Sequence, residues 1–196
     1  MRIIGITGGI GCGKSKLVRM AKAKCNCLVI DTDTVAKFLM APGNISYELI
    51  VKRWPEVIDE DNTINRKTLA AITMSDKEAL LELNEFTHPY VVKEIKDVIE
   101  REQDNYDIVI IESALLLDTP IAGLCNEIWN VTASVEKRIE RLVNYRKYTR
   151  EQAEAIMANQ RSEDWYISHS TKTFINNADG GADMAELLDI SLLEYK

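Results

Sequence analysis

The stretch Ile3-Ile4-Gly5-Ile6-Thr7-Gly8-Gly9-Ile10-Gly11-Cys12-Gly13-Lys14-Ser15 decides the fold of this 196-residue chain. Ile3 to Thr7 reads as a short buried strand, and the phosphate-loop pattern G-x-x-x-x-G-K-[ST] follows it directly over Gly8 to Ser15. Helical periodicity then runs from Lys14 to about Lys24, with Leu17, Val18 and Ala21 on one face. Strand, glycine loop and helix in that order form the context in which the pattern binds a triphosphate. Glycines let the backbone wrap so that successive N–H groups point at phosphate oxygens, and the helix N-terminus adds positive potential. Lys14 can then reach the β- and γ-phosphates, and the Ser15 hydroxyl can ligate Mg²⁺. The competing reading is a glycine-rich turn with an incidental lysine.

Outward from the loop, Cys27 to Ile30 is a second apolar run that ends at Asp31-Thr32-Asp33. A helix is expected over Val35 to Met40, stopped by Pro42-Gly43. Helical composition returns near 46–54, 66–73 and 76–104, with Pro89 interrupting the last segment. Tyr106 to Glu112 is the clearest buried strand, Ile128 to Thr132 is another, and Thr173 to Asn176 is a short last one. Helices are expected at about 135–145, 150–160 and 184–194, with capping boxes at Thr149/Gln152 and Asp183/Glu186. Continuous apolar strands alternating with helices predict an α/β domain whose parallel sheet is covered on both faces.

Composition narrows the function classes. A hydrophobic fraction of 46% and a charged fraction of 28% describe an ordinary globular chain. The net charge of -7 argues against general attraction to nucleic acid or to an anionic membrane, so a local basic cluster suggests a small anionic ligand. No stretch approaches transmembrane length. Cys12, Cys25, Cys27 and Cys125 form neither a CxxC pair nor a zinc tetrad, which points to reduced thiols in a cytoplasmic protein. His88 and His169 also lack metal-ligand spacing, and His88-Pro89 reads as a helix break.

Three further features could carry chemistry. Asp33 follows the second strand, where it could accept a proton from an acceptor hydroxyl; equally, Asp33 or Thr32 could cap the helix from Thr34. Asp31 reads as a strand-end carboxylate that positions its neighbours. Glu112 ends the strongest strand, where a phosphate-loop enzyme places an acid near the metal. Finally, Lys137, Arg138, Arg141, Arg146, Lys147 and Arg150 form a basic cluster, with Arg138, Arg141 and Tyr145 on a shared face. Beside the loop it reads as a mobile lid that offsets charge in phosphoryl transfer; by itself it would read as a solvated face balanced by Glu136, Glu140, Glu151 and Glu154. No guanine-reading NKxD or DxxG switch is present, which favours a small-molecule kinase over a regulatory nucleotide-binding module.

In order, these motifs resemble the dephospho-CoA kinase family. Thr7 to Ser15 is similar to its opening loop, Val29-Ile30-Asp31-Thr32-Asp33 to its second-strand signature, and Asn65-Arg66 with Leu69 to its substrate-domain arginine segment. Leu83-Asn84 with His88-Pro89, Leu115-Leu116 with Asp118, Thr149 to Gln160, and Ile175-Asn176-Asn177 continue the resemblance to about residue 180. The resemblance implies a three-layer P-loop NTPase fold: a core of about 1–40, 106–134 and 170–196, a helical substrate subdomain of about 41–105, and a helical lid of about 135–169. It implies ATP-dependent phosphorylation of the ribose 3′-hydroxyl of dephospho-coenzyme A, with Mg²⁺ as cofactor and a monomer or small homo-oligomer as the working form.

Under that reading Gly8, Gly9, Gly11, Cys12, Gly13, Lys14, Ser15, Lys16 and Asn177 bind ATP, with Ser15 as the Mg²⁺ ligand. Asp33, Lys14, Arg141 and Arg146 are catalytic, and Asp33, Arg66 and His88 hold the acceptor. The chain departs from the family pattern in three places. Lys16 stands where a small hydroxyl residue is usual, and Ala114 replaces a proline. Tyr145-Arg146 occupies the place of the lid's arginine-aspartate pair, leaving Arg146 or Arg141 for the transition-state role.

Overall fold

The structure, a computed structural model, describes residues 1–195; Lys196, the end of the expected core segment, lies outside the described residues. The chain divides into two compact units, Met1–Ile30 with Glu102–Lys196, and Asp31–Arg101.

Five strands form one parallel sheet: β1 Arg2–Thr7, β2 Cys27–Asp31, β3 Ile108–Glu112, β4 Glu127–Thr132 and β5 Lys172–Ile175. Their order is β2-β3-β1-β4-β5. On one face Ile4, Ile6, Ile108, Ile110, Trp129 and Val131 pack with α1 (Lys14–Lys22) and α9 (Ala182–Leu193), through Leu17, Val18, Ala21, Met184, Leu188 and Leu192. Each such fully buried aliphatic side chain contributes roughly 1.5–3 kcal/mol. On the opposite face, a Cβ at Gly5 would stand 2.5 Å from the Leu116 side chain and 2.8 Å from Cys125 Sγ, so the segment after β3 lies directly on the strand. Both faces are thus covered, which is why the strands are apolar runs rather than alternating ones. Because β1 sits between β3 and β4, the loop after it opens where the strand order reverses, the usual ligand position in such sheets.

The rest of this unit holds α6 (Val135–Arg146), α7 (Arg150–Ala158) and α8 (Glu163–Ser168). The six-residue α8 is too short to show helical periodicity in the sequence. The box at Thr149 and Gln152 is present, whereas Asp183 caps no helix. Gly181 is the N-cap of α9, and the Asp183 carboxylate instead accepts from the Asn177 and Ala178 N–H groups at 2.7 and 2.9 Å.

The second unit contains α2 (Thr32–Leu39), α3 (Ile45–Arg53), α4 (Arg66–Ser75) and α5 (Lys77–Glu102). Its core gathers Tyr47, Ile50, Trp54, Val57, Ile64, Leu69 and Ala79. Pro89 does not interrupt α5, contrary to the expected break. A proline inside a helix costs about 3 kcal/mol locally. Here Thr87, Val91 and Ile95 are buried on either side of it, and Thr87 Oγ1 donates to the Leu83 carbonyl at 2.8 Å, so burial carries the helix through.

Candidate active site

The phosphate loop is shaped by contacts that only glycine allows. Gly8 has φ 137°, and a Cβ there would stand 2.2 Å from the Val131 carbonyl oxygen. Gly13, with φ 106°, leaves room for the Asn176 amide, which would lie 2.1 Å from an added Cβ. Asn176 Nδ2 donates to the Cys12 carbonyl at 2.7 Å, so the loop rests on the residue after β5. Among the described residues the N–H groups of Gly11, Gly13, Lys14 and Ser15 donate to no protein acceptor. Unspent donors at a helix N-terminus are what a phosphate needs.

Lys14 folds back over the loop, donating through Nζ to the carbonyls of Gly8 at 2.7 Å and Gly9 at 3.3 Å. Ser15 Oγ donates to Glu112 Oε1 at 2.7 Å, joining the end of β3 to the start of α1. Cys12 is buried in the loop as a free thiol. Lys16 extends across Gly181, where an added Cβ would come within 2.9 Å of its ammonium. Asn177 accepts from the Ser134 N–H at 2.8 Å and so fixes the turn into α6.

The basic helix lies against the loop. Arg141 Nη1 donates to the carbonyls of Gly11 and Cys12, both at 3.2 Å, and its Nη2 to the Asn176 carbonyl at 2.7 Å. Arg138 Nε donates to the Ile10 carbonyl at 2.8 Å, and its Nη2 to Gln160 Oε1 at 3.0 Å. By contrast Arg146 is exposed at the end of α6 and makes no hydrogen bond or ion pair among the described residues. Beyond Gln160 an open cleft of about 460 Å³ is lined by Leu115, Asp118, Asn159, Arg161 and Tyr166.

The remaining predicted residues lie in the second unit. Asp33 is the second residue of α2, and its carboxylate is exposed. The capping alternative falls to Asp31, whose side chain accepts from the Asp33 N–H at 3.0 Å and from Thr34 Oγ1 at 2.7 Å. Asp33 is therefore free of that duty. Arg66 is exposed at the first position of α4, behind the capping residue Asn65. His88 is half-buried beside Pro89, and burial lowers its pKa below the usual histidine value.

Comparison with known proteins adds the family. The family model described as dephospho-CoA kinase matches residues 2–182. The chain belongs to the dephospho-CoA kinase family. The dephospho-CoA kinase of Lactobacillus johnsonii is 36% identical over 159 residues, 80% of each chain. That of Moorella thermoacetica is 33% identical over 190 residues, covering 95% of this chain and 89% of the relative. In three dimensions the TT1252 protein of Thermus thermophilus is similar, with a TM-score of 0.86 at 26% identity, covering 100% of this chain and 98% of that one. As a member of this family the chain is a P-loop kinase that uses ATP. No described helix is long and apolar enough to cross a membrane.

The sequence reads Arg138 only as part of the basic cluster, and Gln160 and Asn176 only as members of longer motifs, with no contact to the loop assigned to any of the three. The only available signal was the shared face of Arg138 and Arg141 at i and i+3.

Proposed function

We propose that this dephospho-CoA kinase family member transfers the γ-phosphoryl group of ATP to the ribose 3′-hydroxyl of dephospho-coenzyme A. The products are coenzyme A and ADP, so the reaction is the final step of coenzyme A synthesis. The observation that carries this reading is the family match over residues 2–182, anchored on a loop with four N–H groups that have no protein acceptor among the described residues. In the same proposal the helical segment 41–105 takes the acceptor and 135–169 forms the lid.

The donor half works through the loop. The N–H groups of Gly11, Gly13, Lys14 and Ser15 receive the phosphates, and Lys14 exchanges the Gly8 and Gly9 carbonyls for β- and γ-oxygens. Ser15 and Glu112 supply two oxygens at 2.7 Å, a set too small for a protein-only cage but suited to a Mg²⁺ that arrives with the nucleotide. Bound there, Mg²⁺ would offset charge on the β- and γ-oxygens. Of the two candidate arginines, Arg141 is engaged with three carbonyls, which leaves Arg146 as the guanidinium free to meet the transferring group. On the acceptor side, Asp33 takes the hydroxyl proton and orients the oxygen for in-line attack, while Arg66 and His88 hold the substrate.

The test is ADP release measured with dephospho-coenzyme A, uridine, shikimate and AMP side by side. Dephospho-coenzyme A is expected to be preferred by orders of magnitude. Preference for any of the other three would overturn the acceptor assignment.

A further inference from the structure

Ile10 lies in the middle of the phosphate loop and is held from three directions by the 135–160 segment. Its N–H donates to Gln160 Oε1 at 2.9 Å, and its carbonyl accepts from Arg138 Nε at 2.8 Å. Arg138 Nη2 closes the triangle on the same Gln160 oxygen at 3.0 Å. The Ile10 side chain packs on the small core formed by Ile139, Leu142 and Ala153, together with Tyr148 and Met157. Arg138 also abuts both flanking glycines. A Cβ at Gly9 would stand 2.3 Å from its Nη2, and one at Gly11 would stand 2.9 Å from its backbone oxygen.

The hydrogen-bond accounting separates Ile10 from its neighbours. Its N–H is spent on Gln160, while those of Gly11, Gly13, Lys14 and Ser15 have no protein acceptor among the described residues. The Ile10 N–H is therefore an anchor point of the loop, unlike the donors that follow it. A glycine-rich loop left free would lose much conformational entropy on gripping a triphosphate, and a loop held in advance loses less.

We propose that Arg138 and Gln160 are positioning residues for ATP binding. Together they clamp Ile10 on both its N–H and its carbonyl and set the loop's free N–H groups before nucleotide arrives. Neither side chain needs to touch the transferring phosphoryl group. This inference rests on the nucleotide half of the proposed function and is independent of the acceptor.

The experiment uses the full chain with Arg138→Met, Arg138→Lys, Gln160→Ala and the Arg138→Met/Gln160→Ala pair. Binding of a non-hydrolysable Mg-ATP analogue is followed by calorimetry without acceptor, and kcat is followed with dephospho-coenzyme A. Arg138→Met and Gln160→Ala are each expected to weaken analogue binding about tenfold while kcat at saturation stays within about threefold. The pair is expected to be no weaker than the poorer single variant, because both partners hold one residue and Arg138 also holds the Gln160 oxygen. Arg138→Lys, which keeps one donor for the Ile10 carbonyl, should recover part of the loss. Unchanged analogue affinity in folded variants, or additive losses in the pair, would overturn the clamp. So would a kcat fall of about a hundredfold at unchanged affinity, since that outcome places the guanidinium on the reacting group. If Arg138→Met does not fold, Gln160→Ala and Arg138→Lys decide the matter alone. A wild-type chain that binds the analogue but ignores dephospho-coenzyme A would sink the acceptor assignment and leave the clamp standing.

Discussion

Asp33, the proposed proton acceptor, is freed from capping by its neighbour. The carboxylate of Asp31 takes both the Asp33 N–H and the Thr34 hydroxyl, so the capping work is done two residues earlier. Replacing Asp33 by Asn keeps the size and the helix but removes the carboxylate proposed to accept the proton. Turnover with dephospho-coenzyme A should fall by roughly 10²–10⁴, with ATP-analogue affinity unchanged. Full turnover in a folded Asp33→Asn protein would remove Asp33 from the mechanism. Glu127 is a second residue whose charge state matters, this time for stability. Burial raises its pKa, but donors from Tyr195, Trp129 and Arg2 and the charge of Lys172 outweigh that, and the pKa settles at about 2. Its unfolded value is near ~4.3, so the folded state gains stability above that pH and loses it as pH falls towards about 2. Urea unfolding of Glu127→Gln should show a deficit of about 2 kcal/mol at neutral pH that shrinks below about pH 4. At this scale the loop residues were legible because one pattern contains them all. Gln160 and Asn176 reach the loop from 150 and 164 positions away as single amides, and no local pattern announces such partners.

At the scale of elements, burial overrode local signals where the two disagreed. Pro89 signals a stop, yet α5 runs through it because buried residues on both sides keep it helical. Asp183 and Glu186 have capping-box spacing, but Gly181 in a left-handed conformation already ends the loop. The box at Thr149 is realised in full: the Thr149 side chain accepts from the Gln152 N–H, and Gln152 Oε1 accepts from the Thr149 N–H at 2.9 Å. This box starts α7, which carries Ala153 into the same small core that grips Ile10. Thr149→Ala should therefore cost about 1 kcal/mol in α7 and also raise amide exchange across 150–160. Equal exchange in the two proteins would mean that tertiary packing alone holds the helix.

For the molecule as a whole, apolar runs reveal that strands exist but not which strands are neighbours. Continuous burial on both faces predicted a parallel sheet from the sequence, yet the order β2-β3-β1-β4-β5 leaves no periodic trace, since every internal strand carries the same kind of side chain. That order matters for function because it opens the loop after β1 between two neighbours, with Glu112 of β3 on one side and Asn130 and Val131 of β4 behind Gly8. The unit Met1–Ile30 with Glu102–Lys196 thus assembles the proposed nucleotide site from segments far apart in sequence, and the unfolded chain has no such site. Ligand that binds only the folded form must stabilise it by mass action. A non-hydrolysable Mg-ATP analogue at roughly 100 times its Kd should add about 2.7 kcal/mol. For a chain of this length that corresponds to a rise in melting temperature of roughly 5–10 °C. Lys14→Ala keeps the fold but removes the cation proposed to meet the phosphates, so at the same analogue concentration most of that rise should vanish. A wild-type melting temperature that stays flat under the analogue would mean that the unspent N–H groups of the loop do not receive a triphosphate.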